Sequence, residues 1–123
     1  MNKSQVLEQI RECGLVPAIR VETEQQTLQA LEALMEGGLR VAEITMSMAG
    51  SMHMLDAALS RFGDRMLIGA GTVLDSETAR ACILAGAQFI VSPGLNRATI
   101  DMCHRYSIAV LPGALTPTEI LSF

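Results

Sequence analysis

The chain has a single lysine, Lys3, and few aromatic rings: three Phe and one Tyr. Nucleic-acid binding draws on a basic face and on rings that stack with bases. With 9 basic against 13 acidic residues and a net charge of −4, the composition argues against such a partner. Long apolar runs are missing too. None reaches the roughly 18 residues of a membrane-spanning helix, so no transmembrane segment is expected. The N-terminal stretch MNKSQVLEQIRECG is polar and helix-like and lacks the apolar core of a signal peptide. Cysteine is sparse: Cys13, Cys82 and Cys103 are odd in number and lack metal-ligand spacing, which predicts reduced, buried thiols and no metal site. A cytoplasmic protein is expected.

What the chain has in quantity is apolar residues, 50% of its 123. That length suits one domain with a core of its own, spanning residues 1–123. Five short apolar runs alternate with helical patterns: Leu15–Val21, Val41–Met46, Met66–Ile68, Phe89–Val91 and Ile108–Leu111. They are continuous rather than alternating, as in parallel strands covered on both faces. Between them lie helix signals. Thr23 with Gln26 makes a capping box, Leu28, Leu31, Leu34 and Met35 form a stripe, and Gly37 and Gly38 end it. Asp75 and Asn96 can cap two further helices, and Gly86 can stop the first of these. The strands hand over to loops at Arg20, Thr45, Thr72, Pro93 and Gly113, positions 25, 27, 21 and 20 residues apart. Each interval is the length of one βα unit, so the chain reads as a βα array.

Functional groups of parallel α/β proteins sit at the C-terminal ends of the strands. Here Glu43 stands out, a carboxylate inside the apolar run VAEITM. Burying an ionised carboxylate without a partner costs several kcal/mol or more. Glu43 is therefore either a structural carboxylate paired with Arg20 or a group that some chemistry requires. A five-stranded flavodoxin-like sheet holding small carboxylates fits the length but supplies little chemistry. The first and third strand ends lack a phosphoacceptor's acidic residues, the fifth lacks its lysine, and VETEQQ is no flavin-phosphate loop.

Four runs, GGLRVAEIT, IGAGTVLD, AGAQFIVSPGL and LPGALTPTE, resemble in order and spacing those of the 2-keto-3-deoxy-6-phosphogluconate and 4-hydroxy-2-oxoglutarate aldolases. The resemblance extends from about Leu15 to Leu121. It implies a (β/α)8 TIM barrel, of which this chain would be an N-terminal helix and the first five βα units. It also implies a class I lyase that forms a Schiff base and releases pyruvate and an aldehyde, with no metal or organic cofactor. On the same resemblance Glu43 is the catalytic acid and base, and Arg20 and Thr72 hold the keto-acid substrate. Gly69 and Gly71 let backbone approach the ligand, Pro93 shapes the wall beside the Schiff base, and the oligomer is a homotrimer. Ser47 stands where members of the family place an arginine, which leaves part of carboxylate or phosphate recognition open.

The Schiff-base lysine of that family lies on the sixth strand, ahead of the phosphate loops of strands seven and eight. No lysine follows Lys3. Thr116-Pro117-Thr118-Glu119 is a strong helix start, and Phe123 follows within two turns, so a chain shortened at its C-terminus and inactive alone is expected. Met46, Met48, Met52 and Met54 read as packing residues, and His53 and His104 as helical residues away from the site.

Overall fold

A computed structural model describes residues 1–123. Five strands form one parallel sheet: β1 (Ala18–Ile19), β2 (Val41–Thr45), β3 (Leu67–Gly71), β4 (Phe89–Ser92) and β5 (Ala109–Pro112). Helix α1 (Lys3–Cys13) precedes β1. Helices α2 (Glu24–Glu36), α3 (Ser51–Phe62), α4 (Ser76–Ala85) and α5 (Arg97–Arg105) join successive strands, and α6 (Pro117–Ser122) follows β5. The strands lie side by side in sequence order, with β1 and β5 at the two edges. That is the order of a (β/α)8 barrel, in which each strand is laid beside the last. A flavodoxin-like sheet carries its first strand inside, between the second and third. The edge position of β1 overturns that alternative.

Local chemistry starts most of the helices. Thr23, Asp75, Asn96 and Thr116 each accept a hydrogen bond from the backbone N–H three residues on, as read from the sequence, and Asn2 does the same for α1. Such caps are each worth about 1 kcal/mol. Helix α3 begins without one, at Gly50 in the left-handed region (φ 79°). Strands β2, β4 and β5 match their apolar runs to within one residue at each end, while β1 and β3 differ by more. Only Ala18–Ile19 of the Leu15–Val21 run is strand, because β1 has one neighbour and Pro17 has no N–H to donate. Strand β3 runs beyond the apolar run at Ile68, through Gly69 to Gly71, and hands over to its loop at Thr72 as read from the sequence.

Alternation along the strands gives the sheet two faces. Ala42, Ile44, Ile68, Ala70, Ile90 and Val110 pack against the helices in a core of 19 buried residues, with Leu31, Leu55, Phe62, Cys82 and Cys103 from the helix layer. Met54 is buried there and Met46 and Met52 pack against it, as expected of packing residues, whereas Met48, half-buried after β2, belongs to neither core. Cys13, in contrast, is only half-buried. On the other face Val41, Leu67, Phe89 and Ala109 form a smaller core with Val6, and Leu7 and Ile10 pack against it. Helix α1 thus closes the end of the sheet at which the strands begin, leaving the other end for chemistry.

Candidate active site

Glu43 lies mid-strand in β2, aligned with Ala18 of β1 and Gly69 of β3, and shares its face with Val41. The residue is half-buried, but its Oε2 is fully enclosed and has no hydrogen-bond partner. Its carboxylate sits over Gly71. A Cβ at residue 71 would lie 2.5 Å from Oε2 and 2.6 Å from Cδ. Burial pushes the Glu43 carboxyl above its ordinary value, against a smaller downward pull from the Arg20 charge. Desolvation therefore outweighs the neighbouring cation here.

Arg20 does not pair with it. The ion pairs of the chain are Glu8–Arg11, Asp64–Arg65 and Asp101–Arg97, all on the surface. The pairing of Glu43 with Arg20 considered from the sequence is thereby excluded. Arg20 is exposed just beyond β1, beside a cleft between that strand and α2 lined by Ile19, Val21 and Leu34. That cleft does not include Glu43, and the two residues interact through charge alone.

Thr72 follows β3 with φ 55°, in the left-handed region that a β-branched residue seldom adopts. Flanking hydrogen bonds hold it there: Met46 N donates to Gly71 O at 2.8 Å, and Val73 N donates to Val91 O at 3.2 Å. Such strain persists where the surroundings over-determine it, and it clusters at functional sites. Pro93 is exposed at the end of β4, and its carbonyl occupies the space that a side chain at Gly113 would need. Strand ends β4 and β5 therefore approach closely above the level of Glu43. Ser47 is exposed after β2, and His53 and His104 are exposed on α3 and α5.

Two features escaped the sequence reading. Gly69 and Gly71 do not open the backbone to a ligand. Their missing side chains are replaced by this chain's own groups, the Phe89 ring at Gly69 and the Glu43 carboxylate at Gly71. Thr45 is buried, and its hydroxyl donates to Ile19 O at 3.0 Å, tying β2 to β1 beside the carboxylate. A threonine in an apolar run carries no sequence signal for that role. Lys3, finally, lines a cleft with Gln88, Ser107 and Ala109, where β4 and β5 begin. It stands at the opposite end of the strands from the loops after Thr45, Gly71 and Ser92.

A carboxyl of raised pKa, enclosed against the end of β3, suits proton transfer. The family "Aldolase: KDPG and KHG aldolase" matches residues 6–122. The chain belongs to the KDPG and KHG aldolase family. It is 34% identical over 115 residues to a 2-dehydro-3-deoxy-phosphogluconate aldolase of Treponema pallidum, covering 94% of this chain and 54% of that one. A KDPG aldolase of Legionella pneumophila, solved with pyruvate captured as a covalent carbinolamine, superposes with a TM-score of 0.82 at 31% identity. That match covers 87% of this chain and 52% of the other. The 2-keto-3-deoxy-6-phosphogluconate aldolase of Zymomonas mobilis, with 3-phosphoglycerate, gives a TM-score of 0.86 at 27% identity over 94% and 55% of the two chains. The chain spans about half the length of the curated relatives it matches.

Proposed function

We propose that these residues are one domain, the N-terminal portion of a class I aldolase barrel. The enzyme cleaves 2-keto-3-deoxy-6-phosphogluconate, or a related 2-keto-4-hydroxy acid, to pyruvate and an aldehyde. The observation that carries this reading is the Glu43 carboxyl, enclosed, unpaired and raised in pKa against the end of β3, in a chain of the KDPG and KHG aldolase family. A carbinolamine is the adduct of an amine to a carbonyl, and its capture on the Legionella relative supports an amine-dependent route here.

In this route a lysine from outside these 123 residues attacks the substrate ketone, and loss of water gives an iminium. The Glu43 carboxylate takes the proton of the C4 hydroxyl as the C3–C4 bond breaks. The bonding electrons pass to the iminium, forming an enamine, and the aldehyde departs. Glu43 then returns the proton to the enamine carbon, which becomes the pyruvyl methyl, and water releases pyruvate from the lysine. A carboxyl raised toward neutrality serves both directions of transfer better than an ordinary one. Arg20 and Thr72 hold the substrate carboxylate, the first through a guanidinium suited to two-point contacts. Pro93 walls the pocket. Ser47 stands where family members place an arginine, so this side does not supply that arginine's charge to the substrate. The resemblance further implies a homotrimer in the cytoplasm.

The test compares two polypeptides for pyruvate release from 2-keto-3-deoxy-6-phosphogluconate and 4-hydroxy-2-oxoglutarate. Residues 1–123 alone should release none, and borohydride with pyruvate should leave their mass unchanged. The polypeptide of the complete reading frame should release pyruvate and be trapped. A trapped adduct on residues 1–123 would falsify the assignment of the amine to another segment. No pyruvate from the complete polypeptide with either substrate would remove the activity itself.

A further inference from the structure

Beyond Leu67, the positions of β3 that face the Glu43 side are Gly69 and Gly71. Glycine inside a strand is destabilising by roughly 0.5–1 kcal/mol against alanine, so two in alternation call for a reason. Backbone angle is not that reason, because neither glycine has positive φ. Space is. A Cβ at Gly69 would lie 2.5 Å from Cδ2 and Cε2 of Phe89, and one at Gly71 would lie 2.5 Å from Oε2 and 2.8 Å from Oε1 of Glu43. Carbon and its non-bonded neighbours rest at about 3.5–4.0 Å, so neither side chain can be added with its neighbour in place. The two hollows have different occupants. The Phe89 ring fills the lower one from the floor core, and the carboxylate fills the upper one.

We propose that Gly71 is the positioning residue for Glu43: the missing side chain at residue 71 is the seat that holds the carboxylate flat against β3. The proposal rests on the reading of Glu43 as the proton carrier. The seat accounts for what the surroundings otherwise leave unexplained, an Oε2 enclosed with no hydrogen-bond partner and no ion pair to Arg20. Below the seat the Phe89 ring occupies the neighbouring hollow, so the carboxylate cannot swing toward the floor. With a methyl at residue 71 it has to turn away from β3, toward solvent. Rehydration favours the ionised form and returns the carboxyl toward its ordinary range.

The polypeptide of the complete reading frame tests this with four proteins: the natural chain, Gly71→Ala, Glu43→Ala and the double variant. Measured below pH 4.5, where the Glu43 carboxyl is protonated and gains nothing from a move into solvent, Gly71→Ala should lower the urea midpoint of the natural chain. In the Glu43→Ala background it should leave the midpoint unchanged or raise it, because the seat is then unoccupied. Carbon-detected titration of the Glu43 carboxyl should move down in Gly71→Ala. Exchange of pyruvate methyl protons with deuterium should slow by about 100-fold, the cost of displacing a reacting group by roughly 1 Å. Equal midpoint losses in both backgrounds, or an unmoved Glu43 titration, would overturn the seat. If Gly71→Ala does not fold, recovery of folding in the double variant supports the proposal and its absence refutes it. Coupled midpoints with an unchanged exchange rate would instead refute Glu43 as proton carrier and leave the seat standing.

Discussion

Val41 and Glu43 stand two residues apart on one face of β2. Val41 is fully enclosed with Leu67, Phe89, Ala109 and Val6, an apolar floor that α1 covers. Around Glu43 the neighbouring strand offers Gly69 and Gly71, and no side chain gives its Oε2 a hydrogen bond. One strand thus serves as a packed wall at its start and as a mount for chemistry two positions on. The floor contributes stability through burial, and the upper layer holds a group that burial disfavours. This division matches the general rule for parallel barrels, stability at the N-terminal face and chemistry at the C-terminal one.

Removing the floor is expected to have the largest effect. Phe89→Ala vacates both the floor and the hollow over Gly69, and should cost about 3–5 kcal/mol in urea unfolding. A loss below about 1 kcal/mol would show that Phe89 does not support the layer above. Gly69→Ala probes the boundary between the halves. It forces a methyl into the ring and should cost about 1–3 kcal/mol, much of it recovered when Phe89→Leu is added.

The outer core offers a second set of buried titratable groups for comparison. Burial pushes the Cys82 and Cys103 thiols from 9.0 up to about 11. Their folded values lie above the unfolded ones, so the unfolded chain ionises first as pH rises. Stability present below pH 9 should therefore decline between pH 9 and about 11. Urea midpoints across that range check it, and Cys82→Ala with Cys103→Ala should flatten the decline. Glu43 follows the same sign in a different window. Its folded value is raised above 4.5, so stability present below that pH is lost as pH rises through the folded value. Glu43→Gln should raise the urea midpoint at pH 7, with the gain over the natural chain fading below pH 4.5. No gain at pH 7 would mean that the carboxylate is not held in an unfavourable setting.

The outer layer was largely legible in the sequence, because local rules decide it. Thr23, Asp75, Asn96 and Thr116 cap helices where their hydroxyl, carboxyl or amide groups predict, and the Leu28–Leu31–Leu34–Met35 stripe faces the sheet with Leu31 fully buried. Glu43 was legible too, since a carboxylate in an apolar run signals a special setting. The inner layer was less so. A glycine in IGAG looks the same whether it frees space for a ligand or for the chain's own Phe89 and Glu43, and only packing across strands separates the two. Arg20 shows the same limit. Sequence puts it at the strand end beside Glu43, but the reach of its side chain depends on three-dimensional placement, and no ion pair forms. The left-handed Thr72 carried no signal at all, because the two hydrogen bonds flanking it come from Met46 and Val91 on other strands or their loops.

The central claim, that Glu43 carries the proton to and from the pyruvyl carbon, is tested most directly by methyl-proton exchange. Pyruvate is incubated in deuterium oxide with the polypeptide of the complete reading frame, and loss of the methyl proton signal is followed by NMR. Glu43→Gln keeps the shape of the side chain and removes its capacity to take up a proton. The exchange rate should fall by roughly 10²–10⁴-fold, the usual contribution of a positioned general acid and base. A rate within about threefold of the natural chain's would contradict the account.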